Sequence, residues 1–99
     1  MAKVIWTESA LLELELITQY ISLDKPSAAK KLIKKILGAT KRLELFPESG
    51  RIPVEISRLN YLEIIVKPCQ IFYRIDGSKV YIVYIMRSEQ DLKRYLLNS

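Results

Sequence analysis

Between Cys69 and Arg87 the stretch CQIFYRIDGSKVYIVYIMR sets Tyr73, Arg74, Tyr84 and Arg87 among residues that a sheet would bury. Two guanidinium groups can grip an anion through paired N–H donors, and a phenol can donate a proton or accept one. Glu63, just upstream, adds a carboxylate that can act as a base. The chain has no histidine and a single cysteine, Cys69. A Ser-His-Asp or Cys-His nucleophile is therefore excluded, as are a Cys/His zinc site and an internal disulfide. Any general acid or base must be Glu, Asp, Lys, Tyr or Cys, and no cofactor or metal is expected. The same side chains equally suit a rim around a protein partner, or simply the wet side of a sheet.

The elements that must position them can be read from periodicity. Lys3 to Trp6 is short and β-branched, which predicts a strand. Thr7 can cap a following helix, with Glu8 at the positive end of its dipole. Leu11, Leu14, Ile17 and Ile21 recur at helical spacing, in a stripe widened by Ala10, Leu12, Leu16 and Tyr20. SLDKPS breaks that helix, and Pro26 fits the first turn of a second one. There Ala29, Leu32, Ile33, Ile36, Leu37, Thr40 and Leu43 form an apolar stripe opposite Lys30, Lys31, Lys34, Lys35, Lys41 and Arg42. Pro47 and Gly50 end the helical part. Strands are predicted over Tyr61 to Val66, Cys69 to Ile75 and Lys79 to Met86, with Asp76-Gly77 as a hairpin turn. SEQDLKRYLLNS allows a short final helix. The order β-α-α-β-β-β-α describes one α+β domain over residues 1–99, an antiparallel helical hairpin packed on a small antiparallel β-sheet.

Strict alternation then sorts the hairpin. It puts Ile71, Tyr73 and Ile75 opposite Gln70, Phe72 and Arg74. On the last strand it puts Val80, Ile82, Tyr84 and Met86 opposite Tyr81, Val83, Ile85 and Arg87. Neither face is fully polar, and two helices can cover only one of them. A large uncovered apolar patch marks a binding surface. Tyr73, Tyr81 and Trp6 read as core aromatics, Cys69 as a buried small hydrophobe, and Arg51 as a donor to local carbonyls.

The formal charge of +5 is unevenly spread. Residues 1–25 carry −2, residues 26–58 carry +5 and residues 59–99 carry +2. An anionic partner is favoured, either nucleic acid or an acidic protein, with any nucleic-acid contact non-specific. No apolar run approaches a membrane span and no signal-peptide pattern opens the chain, so a cytoplasmic location is expected.

The ordered stretches VIWTESA, YISLDKPSAAKKL, RLELFPESGRIP, FYRIDGSKVYI and MRSEQDL resemble the RelE/ParE toxin superfamily, and most nearly its ParE-type plasmid stabilisation toxins. The resemblance implies two antiparallel helices on a small sheet. It also implies the toxin half of a type II toxin–antitoxin pair, neutralised by an acidic antitoxin that wraps it in a hetero-oligomer. RelE-like members cleave mRNA on the ribosome, whereas ParE-like members lack that activity and poison DNA gyrase.

Cleavage by a 2′-hydroxyl needs a proton acceptor, a proton donor and positive charge at the transition state. Gln70 stands where the resemblance implies an arginine in RelE-like nucleases, Leu62 where it implies one in most of the family, and no histidine is present. The remaining nuclease set is Glu63 as base with Arg74, Tyr84 and Arg87 in support. The reading preferred here is a partner-binding surface without catalysis, inhibiting gyrase and so replication. Arg87, Leu92, Arg94, Tyr95 and Leu96 are its candidate contacts. The alternatives are the mRNA endonuclease and a weakened toxin that still binds antitoxin. Leu92 and Leu96 have a second reading, as a seal over the open sheet face.

Overall fold

Thr7 sits at the junction of the first two elements and binds to both. Its hydroxyl donates to the Ile82 carbonyl at 2.8 Å and accepts from the Ala10 amide at 3.3 Å. The N-terminal strand is thereby tied to the sheet at the point where the first helix starts. In the computed structural model, which describes residues 1–53 and 60–88, β1 is Lys3–Trp6 and α1 is Glu8–Ser22. α2 is Pro26–Lys41, with proline in its first turn, and a 3₁₀ turn follows over Arg42–Glu44. β2 (Leu62–Val66), β3 (Cys69–Asp76) and β4 (Lys79–Arg87) complete the sheet.

The spatial order is β1-β4-β3-β2. β2–β3 and β3–β4 are antiparallel hairpin pairs, and Gly77 at φ 60° makes the tight turn of the second one. β1 pairs with β4 in parallel. The sheet is therefore mixed, and not wholly antiparallel as the strand pattern suggested. The chain leaves β1, crosses one face as two helices, re-enters at the far edge and returns to the centre.

Both helices pack on one face. Ala10, Ile17 and Ile21 of α1 and Ala28, Ala29, Leu32 and Ile36 of α2 meet Cys69, Ile71, Tyr73, Val80, Ile82 and Ile85 of the sheet, all buried. That set contradicts strict alternation on β4. Phe72 pairs with Tyr84 but Tyr73 pairs with Ile82, so Val83 is one residue too many on its strand. Such a bulge reverses the inward–outward sense of everything after it. Ile85 and Arg87 consequently join Val80 and Ile82 on the helix face, and Tyr84 and Met86 turn to the outer face.

Candidate partner-binding surface

The bulge decides which polar groups can meet. Glu63, Gln70, Phe72, Arg74 and Tyr84 share the outer face through the β2–β3–β4 register. Arg87 lies on the other side, with its guanidinium 4.6 Å from the ring centroid of Tyr20 on α1. Three of the four possible nuclease residues thus share a surface and the fourth is separated from them by the sheet.

Glu63 is only 3% exposed. Its Oε1 accepts from Arg51 Nε at 2.7 Å and its Oε2 from Gln70 Nε2 at 3.4 Å, so both oxygens are engaged. Backbone bonds in both directions between Arg51 and Glu63, at 2.9 and 2.8 Å, hold the pair in register at the outer edge of β2. Arg51 therefore bonds a carboxylate, not the local carbonyls expected from its place after the turn. Arg74 lies over the ring of Tyr81 at 4.5 Å, and 3.9 Å separates its Nη1 from Asp76. Tyr84 is half exposed, with its ring centroid 6.3 Å from that of Phe72.

The turn that delivers Arg51 is anchored by Tyr73. Its buried hydroxyl donates to the Pro47 carbonyl at 2.7 Å and accepts from the Gly50 amide at 2.9 Å. Gly50 is required there, because a Cβ would collide with the Tyr73 hydroxyl and stand 2.7 Å from the Glu63 carbonyl oxygen. Burial raises the Tyr73 phenol above its ordinary range, while the Gly50 amide pulls the other way. Cys69 is buried as expected, and burial pushes its thiol up to about 11 against an opposing pull from Arg87. It is not an activated nucleophile.

Among the described residues, two grooves flank the sheet. One, of about 520 Å³, runs between the end of α2 and β2 and is lined by residues including Arg42, Phe46, Arg51, Glu63 and Ile65. The other, of about 460 Å³, lies between α1 and the last part of β4 and is lined by Glu13, Leu16, Ile17, Tyr20, Tyr84, Ile85, Met86 and Arg87. Leu16 and Tyr20 remain 51% and 48% exposed, and Leu12, one turn earlier, is exposed too. Here α1 presents apolar surface that its own core does not use, beside a cation held on an aromatic ring.

Of the residues expected to contact a partner, Arg87 lines this second groove, whereas Leu92, Arg94, Tyr95 and Leu96 lie outside the described residues, as does the final helix expected after Ser88. Sequence reasoning placed Leu16 and Tyr20 in the apolar stripe of α1 and did not count them among the candidate contacts. The signal was available, because the apolar positions of α1 wrap further round the helix than one buried face requires.

Sequence and fold together match one class of protein. Residues 4–92 fit the family of ParE toxins of type II toxin–antitoxin systems, parDE. The chain is 35% identical over 85 residues to Toxin RelE2 of Caulobacter vibrioides, covering 86% of this chain and 93% of that one. It is 34% identical over 94 residues to Putative toxin Y4kP of Sinorhizobium fredii, covering 95% and 96%. A solved chain of the chromosomal ParDE TA system from P. aeruginosa superposes with a TM-score of 0.73 at 25% identity, over 90% of this chain and 98% of that chain. This chain belongs to the ParE toxin family, within the RelE/ParE superfamily, and is a type II toxin–antitoxin toxin.

Proposed function

We propose that this toxin arrests growth by inhibiting DNA gyrase, catalyses no reaction itself, and is silenced by an acidic antitoxin seated in the groove between α1 and β4. On this reading it works in the cytoplasm. The observation that carries it is the division of the possible nuclease set. Arg87 is on the helix face of the sheet, while Glu63, Arg74 and Tyr84 are on the outer face. A phosphate held by Arg74 and Arg87 together would have to pass through the sheet. Glu63 is also a poor candidate base, with both oxygens engaged. Among the described residues no helix is long and apolar enough to cross a membrane, so nothing there favours a bilayer target.

The antitoxin reading is supported by the chemistry of the second groove. An amphipathic segment laid there would cover Leu16, Tyr20 and Met86 and present a carboxylate to Arg87. Leu16→Glu is expected to weaken the complex by about 10–100-fold, the range of a central contact. The RelE-like nuclease remains the second reading, because Glu63, Arg74 and Tyr84 do share one face and one relative is named a RelE toxin. One experiment separates the two. The toxin is expressed without antitoxin, and purified protein is assayed for loss of gyrase supercoiling and for mRNA cleavage on ribosomes. Supercoiling should fail while mRNA stays intact. Codon-dependent cuts abolished by Glu63→Gln would reverse the assignment.

A further inference from the structure

Residues 25–43 contain seven cations and no carboxylate. Around Gly38 their spacing is specific. Lys34 and Lys35 precede it by four and three residues, and Lys41 and Arg42 follow by three and four. These are the four positions that neighbour a residue on a helix surface, and all four side chains are exposed. A Cβ at Gly38 would meet no atom within 4 Å, so packing against the rest of the chain does not ask for glycine. Glycine is also among the poorest residues for a helix interior. What it leaves is bare helix backbone at the centre of a ring of cations. Among the described residues, neither the Arg51–Glu63 pair nor the Arg74–Asp76 pair draws on Lys34, Lys41 or Arg42.

We propose that this ring is a seat for a backbone phosphate of duplex DNA. The missing side chain lets one phosphate approach the helix, and the four cations pair with it and with the phosphates beside it, one each. Lys30 and Lys31 continue the track along α2 toward neighbouring phosphates. From Lys30 to Lys41 α2 rises roughly 16 Å, with Arg42 one residue beyond, and such a rigid row suits a stiff duplex better than a flexible single strand. Phosphate contacts carry no base information, so binding is independent of sequence. The surface is on α2, away from the groove between α1 and β4, and its argument does not depend on the antitoxin or gyrase readings.

Fluorescence anisotropy of a labelled duplex of roughly 20 base pairs, titrated with the purified chain at several salt concentrations, tests the proposal. Four neutralised phosphates give a slope of about −3.6 in log affinity against log salt, or about a 150-fold loss between roughly 50 and 200 mM. Lys34→Gln with Lys41→Gln should reduce that slope by about 1.8. Lys3→Gln with Lys79→Gln, an exposed pair on the β1–β4 edge with the same change in charge, should leave it unchanged. Gly38→Ala should raise the melting temperature by about 4 °C yet weaken binding several-fold, because the methyl group fills the seat. Any of the following results would overturn the proposal. They are no binding at low salt, equal damage from the Lys3/Lys79 control, and a Gly38→Ala variant that binds as tightly as the original. Binding of polyglutamate in place of DNA would assign the ring to an acidic protein and equally defeat it.

Discussion

Replacing Tyr73 by phenylalanine removes one oxygen atom and tests whether that atom holds the turn beneath the outer face. Tyr73 is 0% exposed, and its ring is packed among core residues that phenylalanine would touch equally well. The loss therefore comes from two hydrogen bonds, to the Pro47 carbonyl at 2.7 Å and from the Gly50 amide at 2.9 Å. Each is worth about 1 kcal/mol net, and each backbone group left without a partner adds part of its desolvation penalty. The sum is about 2–3 kcal/mol, a large fraction of the roughly 5–15 kcal/mol that holds a domain together. Urea unfolding of both proteins should show a midpoint lower by about 1–2 M at unchanged slope. Tyr84→Phe, at a half-exposed hydroxyl, serves as control and should stay within about 0.5 kcal/mol. The same turn delivers Arg51 to Glu63, so combining Tyr73→Phe with Arg51→Gln should give a coupling energy of at least about 0.5 kcal/mol. A Tyr73→Phe loss no larger than that of Tyr84→Phe would refute the reasoning, since the turn would then stand without the phenol.

Gly50→Ala should be at least as damaging as Tyr73→Phe, about 2–4 kcal/mol by thermal or urea unfolding, because the new methyl group meets the Tyr73 hydroxyl and the Glu63 backbone rather than a flexible chain end. Arg51→Gln leaves the buried Glu63 carboxylate with Gln70 as its hydrogen-bond partner among the described residues, and with the Arg51 side chain 66% exposed the expected loss is a moderate one of about 1–2 kcal/mol, read from the unfolding midpoint. Alkaline stability follows from Cys69, whose folded thiol is raised to about 11 from an ordinary 9.0. Its neutral form is favoured on folding, so the contribution is complete below the unfolded value and is lost as pH rises from about 9 to 11, about 2–3 kcal/mol in total. Tyr73 is raised in the same direction, so Cys69→Ala should flatten this decline without abolishing it, and an unchanged slope would count against the assignment.

What the sequence conveyed about this fold came from signals that act over a few residues. Thr7 as helix cap, Pro26 in a first turn and Asp76-Gly77 as a hairpin each have a local mechanism, and each stands where the structure has it. Strand directions and side-chain faces are not local in that sense. The parallel pairing of β1 with β4 depends on where the chain returns after two helices, and no pattern within Lys3–Trp6 records it. Alternation along Lys79–Arg87 holds as far as Ile82 and then fails, because Val83 is an extra residue opposite Phe72 and Tyr73. All five apolar residues of that strand are compatible with either face, so hydrophobicity alone could not reveal the bulge. Its consequence falls on the candidate site. Without the bulge, Arg87 would share the face of Arg74, and a phosphate-binding pair on a nuclease-like surface would be geometrically reasonable. With it, Arg87 turns toward Tyr20 and becomes part of the groove against α1. A single additional residue in one strand thus moves the arginine from the surface where it could assist cleavage to one where it can meet a partner.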